Sequence, residues 1–252
     1  MQFVDYVGHL VDAIDQAGQT DNTIVIVTSD NGVSPVADPS ALAAQGHDSS
    51  NGWRGVKADI WEGGHREPFI VRWPQVIKPN TTSDHLISHS DIFATLSEVL
   101  GEPHPDTVAE DSISQLATWQ GSSQPARVDI VSSSGGGGLA IRRGDWKLEC
   151  TTDGDGFSAL SPQAPDTQPT RYVPAQLYNL ADDPGEQRNL LDEQPGTVTE
   201  LSELLSDHIR RGRSTPGEVQ ANDPGTPSDR WIQIEWMPDA ESVIAHCRVD
   251  VP

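Results

Sequence analysis

Six β-branched residues in a row, Thr23-Ile-Val-Ile-Val-Thr28, constrain the fold of this 252-residue chain more than any other feature. Such side chains are stiff at χ1 and suit the pleated surface of a sheet. The run has no apolar/polar alternation, so it predicts a strand buried on both faces, of the kind found in the parallel sheet of an α/β domain. It ends in Ser29-Asp30-Asn31-Gly32, and the carboxyl ends of such strands are where open α/β sheets place their ligands.

The surrounding chain is poor in parallel partners for this strand, which leaves both of its edges unsatisfied. Phe3, Val4, Val7, Leu10, Val11 and Ile14 recur at helical spacing from the first residues onward, so the chain opens inside an amphipathic helix and reads as starting within a larger sequence. After the strand, a loop rich in Gly, Ser and Pro runs to about Gly64, and Pro68 to Trp73 is a second strand candidate. Ser90 or Asp91 caps a predicted helix through Leu100, with Gly101 as terminator and Pro103 beyond. Residues 102–126 read as a linker. Arg127 to Ser132, Leu139 to Arg143 and Trp146 to Glu149 read as short antiparallel strands. Thr197 and Glu200 form a capping-box pattern for a helix lined by Val198, Leu201, Leu204, Leu205 and Ile209. The expected organisation is an α/β unit over residues 1–110, an antiparallel-sheet-plus-helix subdomain over 127–217, and a loosely packed extension over 218–252 with an apolar patch at Trp231 to Trp236.

Charge narrows the function. The net charge is -22, from 38 acidic and 16 basic side chains, which disfavours a nucleic-acid backbone or an anionic lipid surface as partner. Residues 1–46 and 79–126 carry no base at all, whereas residues 47–78 hold Arg54, Lys57, Arg66, Arg72 and Lys78 against four acids. This near-neutral window could hold a small anion. Lys57 is one of three lysines in the chain and sits among glycines that permit close backbone approach to a ligand. Cys150 and Cys247 form no zinc-like pair, and one disulfide or two free thiols are equally open readings. There is no signal-peptide pattern at Met1 and no apolar run long enough for a transmembrane segment.

The carboxylate of Asp30 and the amide oxygen of Asn31 are the ligand types that hard divalent cations take. From that dipeptide alone a simple turn is the commoner meaning. The order of segments carries more. Thr23 to Gly32, then Arg54-Gly-Val-Lys-Ala-Asp-Ile-Trp-Glu-Gly-Gly64, then Pro68-Phe-Ile-Val-Arg-Trp-Pro74 closely resemble the later part of the formylglycine-dependent sulfatases, the arylsulfatase family. Ser88 to Leu100, Ala140 to Leu148, and Gln176 to Glu186 with Asn189-Leu190 continue the resemblance, which spans roughly residues 1–217.

The resemblance implies an α/β, alkaline-phosphatase-like sulfatase fold, of which this chain holds the end of the catalytic domain and the C-terminal subdomain. It implies calcium ligation by Asp30 and Asn31 and contact of Lys57 with the sulfate as an electrostatic stabiliser. His47 is a candidate substrate-binding residue that could protonate a leaving group; His65, His85 and His89 rank lower, with His89 serving packing or capping. The implied partner is a sulfated small molecule or glycan, and the implied location periplasmic or extracellular; the oligomeric state is not indicated. The family's nucleophile, formylglycine made from the Cys (in some bacteria Ser) of Cys-x-Pro-Ser-Arg or Cys-x-Ala-x-Arg, has no counterpart in these 252 residues, and neither does the N-terminal Asp pair that completes the calcium site. Ser132-Ser-Ser-Gly-Gly-Gly-Gly138 stands where related sequences often carry His, and reads as a floppy loop. Three functional readings follow. The chain is the C-terminal part of a sulfatase whose nucleophile lies elsewhere, a non-catalytic remnant or sulfated-glycan-binding module, or part of a phosphoester or phosphonate hydrolase of the same superfamily.

Overall fold

The computed structural model describes residues 2–160, 175–222, 231 and 233–247. In chain order the elements are α1 (Gln2–Gln16), β1 (Val25–Thr28), α2 (Pro39–Ala44), α3 (Glu62–His65), β2 (Phe69–Arg72), α4 (Asp91–Leu100), α5 (Leu116–Trp119), β3 (Asp129–Ser133), β4 (Leu139–Arg143), β5 (Trp146–Glu149), β6 (Gln176–Asn179), α6 (Pro195–Arg211) and α7 (Ala240–Cys247). Among the described residues no helix is long and apolar enough to cross a membrane.

The β-branched run forms β1, with a different partner from the parallel one expected. β2 pairs with it antiparallel, from Val25 opposite Arg72 to Thr28 opposite Phe69. Only Val25 is buried, so burial on both faces does not hold either. The physical reason is that β1 and β2 make a two-stranded sheet among the described residues, and strands pair edge to edge, so the pairing itself covers neither face. The apolar stripe of α1 is likewise uncovered, with Phe3, Val4 and Leu10 all more than half exposed.

The second sheet is better enclosed. Its order is β3-β4-β5-β6, all antiparallel, and β4 and β5 join through a tight turn in which Gly144 takes φ 58°. Strand alternation puts Ile141, Leu148 and Leu177 on one face, packed with Leu201, Leu205 and Ile209 of α6. The opposite face carries Ala140, Arg142, Lys147, Glu149, Gln176 and Tyr178, and the segment around Ile60 and Trp61 covers part of it.

Four local expectations are corrected. Thr197 lies inside the first turn of α6, which begins at Pro195 after Gln194, so the Thr197/Glu200 capping box does not form; Pro at the start of the helix, preset in φ, wins. Ser90 makes no capping bond, whereas the buried Asp91 accepts from Ser88 N (2.9 Å) and Ile113 N (3.0 Å) and pairs with Arg127. The 102–126 span is no free linker, because Ser112 and Gln115 are buried and bonded to α4. The 218–252 extension is not loosely packed over its described C-terminal part. Ile234, Met237, Ala240, Val243 and Ile244 are buried in the same core as Leu148 and Leu205, since α7 lays its apolar stripe on α6. Residues 223–230, 232 and 248–252 lie outside the described residues. Cys150 is a buried free thiol, and burial pushes its thiol up to about 12.

Candidate functional site

The carboxyl end of β1 releases the chain into Ser29-Asp30-Asn31-Gly32, and main-chain bonds then tie this turn to the glycine-rich loop. Gly32 N donates to Gly64 O at 3.0 Å, and Lys57 N donates to Val33 O at 2.9 Å. Gly63 N donates to Arg54 O at 2.7 Å, closing the loop at its base. At its tip Asp59 N donates to Val56 O (3.0 Å) and the Asp59 carboxylate accepts from Val56 N (2.8 Å), so Lys57 and Ala58 occupy a turn. Ala58 sits in the left-handed region at φ 72°, a conformation costing a non-glycine residue about 1–3 kcal/mol. Its carbonyl accepts from Gly135 N at 2.7 Å, and Asp59 accepts from Ser158 N at 2.9 Å, so contacts from the second sheet hold the strained turn.

Asp30 is exposed and Lys57 half-buried, and neither side chain makes a hydrogen bond or ion pair among the described residues. Asn31 Nδ2 donates to Gly32 O at 3.0 Å, while no bond among the described residues engages Asn31 Oδ1. Glu67 is beside them. Burial, then the charge of Asp30, holds the Glu67 carboxyl above the usual carboxylate range, against an opposing hydrogen bond from Ser29, and Glu67 Oε1 is buried without a hydrogen-bond partner. A carboxylate, an amide oxygen and an orphaned carboxyl oxygen are hard donors that fit part of a calcium shell, which needs six to eight oxygens. Among the described residues they do not extend to a group of three or more His, Cys, Asp or Glu side chains suited to a metal.

The other sequence candidates lie differently. His47 follows α2 with its side chain exposed, and no hydrogen bond or ion pair among the described residues joins it to Lys57 or Asp30. The Ser132–Gly138 loop is pinned rather than floppy. Ser134 is buried against Asp155, Gly136 N donates to Asp155 O (3.0 Å), Gly138 N to Asp155 Oδ2 (2.7 Å), and Gln233 Nε2 to Gly137 O (2.9 Å). His89 is exposed, with Nε2 2.8 Å from Thr28 Oγ1 and its ring centroid 6.2 Å from that of Phe69.

Sequence reasoning missed a buried charge cluster behind the Lys57 loop. Lys147 Nζ lies 2.7 Å from Ile60 O, 2.9 Å from Glu186, 3.0 Å from Glu149 and 3.2 Å from Glu62. Arg66 and Arg142 flank Glu62 at 3.1 and 3.2 Å, and Arg54 donates to Glu186 O at 2.8 Å while its guanidinium stacks 3.6 Å over Trp61. Burial opposes charge on Glu62, yet Lys147, His65 and the two arginines together hold its carboxyl down to about 2. Burial and Lys147 push His65 down to about 4, so this histidine is neutral. Neither Glu149 oxygen makes a hydrogen bond despite the close Lys147, and burial raises its carboxyl to about 8. A signal was present in the sequence. One of only three lysines alternates with Glu149 along a strand, which puts both side chains on the same face of the sheet.

The structure thus joins an antiparallel sheet with a helix packed on one face to a strand-end turn tied by main-chain bonds to a glycine-rich loop. Residues 2–102 match the sulfatase family. The chain is 38% identical over 206 residues to an N-acetylgalactosamine-6-O-sulfatase of Bacteroides thetaiotaomicron, and 31% identical over 210 residues to human arylsulfatase A, covering 79% of this chain and 39% of the relative in each case. A Bacteroides thetaiotaomicron structure from work on glycosaminoglycan metabolism superposes with TM-score 0.65 at 36% identity, covering 80% of this chain and 42% of that one. The PsFucS1 sulfatase of Pseudoalteromonas sp., at 24% identity and TM-score 0.63, shares the fold over 81% of this chain and 40% of its own. Over residues 2–102 the chain carries the sulfatase-family match, and it is similar to arylsulfatase-type sulfatases, of whose length it spans about two fifths.

Proposed function

We propose that this chain carries part of a sulfuric ester hydrolase site, in which Lys57 contacts the sulfate and Asp30 and Asn31 ligate calcium. The observation that carries this reading is the pair of main-chain bonds, Gly32 to Gly64 and Lys57 to Val33, that ties the Lys57 backbone to the turn of Asp30 and Asn31, whose carboxylate and amide oxygen, like the Lys57 ammonium, make no hydrogen bond or ion pair among the described residues. Hydrolysis of a sulfate ester builds negative charge on the sulfuryl and leaving oxygens, and a fixed ammonium aimed there lowers the barrier without reorganising. Bound calcium would add Lewis-acid stabilisation of the same charge. His47 joins as a substrate-side group that could hand a proton to the leaving oxygen. The formylglycine nucleophile belongs to a segment outside these 252 residues, so the chain by itself is expected to show no sulfatase turnover. The substrate is a sulfated small molecule or glycan, the relative named for N-acetylgalactosamine 6-O-sulfate favouring a sugar. The protein is read as periplasmic or extracellular.

Three lysines make the test simple. Reductive 13C-dimethylation keeps the ammonium charge and reports on Lys57 and the exposed Lys78, while Lys147 is shielded. Titration with inorganic sulfate is expected to move the Lys57 methyl signal along a saturating curve while Lys78 follows ionic strength alone. Parallel drift of both signals would refute sulfate recognition by Lys57.

A further inference from the structure

We infer that Lys147, through Glu186, is a positioning residue that latches the Lys57 loop onto the second sheet; this rests on the sulfate-contacting reading of Lys57. The loop is a nearly closed ring. Gly63 N meets Arg54 O at its base, and Lys57 hooks Val33 O at its tip. The base is gripped from behind by β5. Lys147 is 1% exposed, and its ammonium donates to Ile60 O, three residues from Lys57. The Glu186 carboxylate spans the same join, with Oε1 accepting from Lys147 (2.9 Å) and Oε2 from the main-chain amide of Glu62 (2.7 Å). Two consecutive anchor points on the loop, a carbonyl and an amide, are therefore held by one buried ion pair from the second sheet and the turn after β6.

The chemistry of the pair favours orientation over packing. A buried cation among three carboxylates gains little net stability over apolar residues of the same volume, because desolvation offsets the attraction. What it supplies is direction, since charge-assisted hydrogen bonds are short and angle-dependent. Every ion pair of Lys147 falls on Glu62 of the loop, on its strand neighbour Glu149 or on Glu186. The Lys57 turn, strained at Ala58, needs such support from outside its own sequence.

Removing the lysine is expected to unfold the cluster, so the test uses Glu186→Gln, which keeps the shape and one of the two acceptor oxygens but loses the charge and the second acceptor. In the full 252-residue chain, hydrogen exchange at the amides of Glu62, Gly63 and Gly64 is expected to accelerate about tenfold or more, with Ile141 and Leu148 in β4 and β5 unchanged. The sulfate midpoint read at the Lys57 methyl signal is expected to rise about threefold or more as a loosened loop must be ordered on binding. A purely structural role would accelerate exchange in β4 and β5 together with the loop and leave the Lys57 midpoint in place, and that result overturns the latch. Unchanged loop exchange overturns it equally. If Lys57 of the unsubstituted chain ignores sulfate, the functional reading fails while the exchange comparison still decides whether the loop is latched.

Discussion

Replacing Lys147 with alanine is expected to destabilise the protein by about 3–5 kcal/mol at pH 8, measured by urea denaturation, because it strands Glu62, Glu149 and Glu186 in a low-dielectric site without their shared cation. Burial alone would drive the Lys147 ammonium towards neutrality, and the three carboxylates reverse that and hold it above its ordinary value. The pH dependence follows from the same cluster. Glu149 binds its proton more tightly folded than unfolded, so its contribution to stability is complete below about 4.5 and is lost as pH rises through about 8. Glu62 acts in the opposite sense, contributing fully above about 4.5 and losing that contribution as pH falls towards about 2; neutral His65 contributes above about 6.5 and loses it as pH falls through about 4. Between pH 6.5 and 9 Glu149 is the member of the three that titrates. The melting temperature should fall across that window, and Glu149→Gln should flatten the fall. An unchanged fall in the Gln variant would mean that Glu149 is ionised in both the folded and the unfolded protein across that window and contributes nothing to it.

Gly32→Ala is expected to separate the two halves of the site. A Cβ at position 32 would lie 1.8 Å from Gly63 O and 2.9 Å from its carbonyl carbon, both main-chain atoms that cannot swing aside. Overpacking of this kind costs about 1–3 kcal/mol, occasionally more. The larger consequence is geometric. The Gly32 to Gly64 bond that sets Asp30 and Asn31 against the Lys57 loop must break. The variant should remain folded by circular dichroism, with the buried face of β4, β5 and β6 intact, yet lose the saturating response of Lys57 to sulfate. An unaltered response in Gly32→Ala would show that the strand-end turn and the Lys57 loop act independently.

Much of the fold was legible because it is local. The β-branched run, Gly101 and the periodicity of Leu201, Leu205 and Ile209 each settle conformation within a few residues. The partner of β1 was not legible, since β propensity names a strand without naming its neighbour or direction. The capping box failed for a related reason: two start signals overlap at Pro195 and Thr197, and only backbone geometry decides between them. In the candidate site, Asp30, Asn31 and Lys57 stood out through residue chemistry and motif order. Lys147, Glu62 and Glu186 did not, because their meeting depends on folding the Gly-rich loop across a sheet that follows it by more than eighty residues in sequence. The apolar patch at Trp231 to Trp236 was visible, but the burial of Ile234 in the core shared by Leu148 and Leu205 is a tertiary event that composition rich in Pro, Asp and Gly obscures.

The central claim is that the turn after β1 is an oxygen-donor cation site joined to a sulfate-contacting lysine. Isothermal titration calorimetry with calcium, run on the unsubstituted chain and on Asp30→Ala, tests it most directly. A saturating heat is expected for the unsubstituted chain, weaker than a complete six- to eight-oxygen shell would give, and abolished in Asp30→Ala. No heat from either protein, or equal heats from both, would contradict a cation site at Asp30 and Asn31.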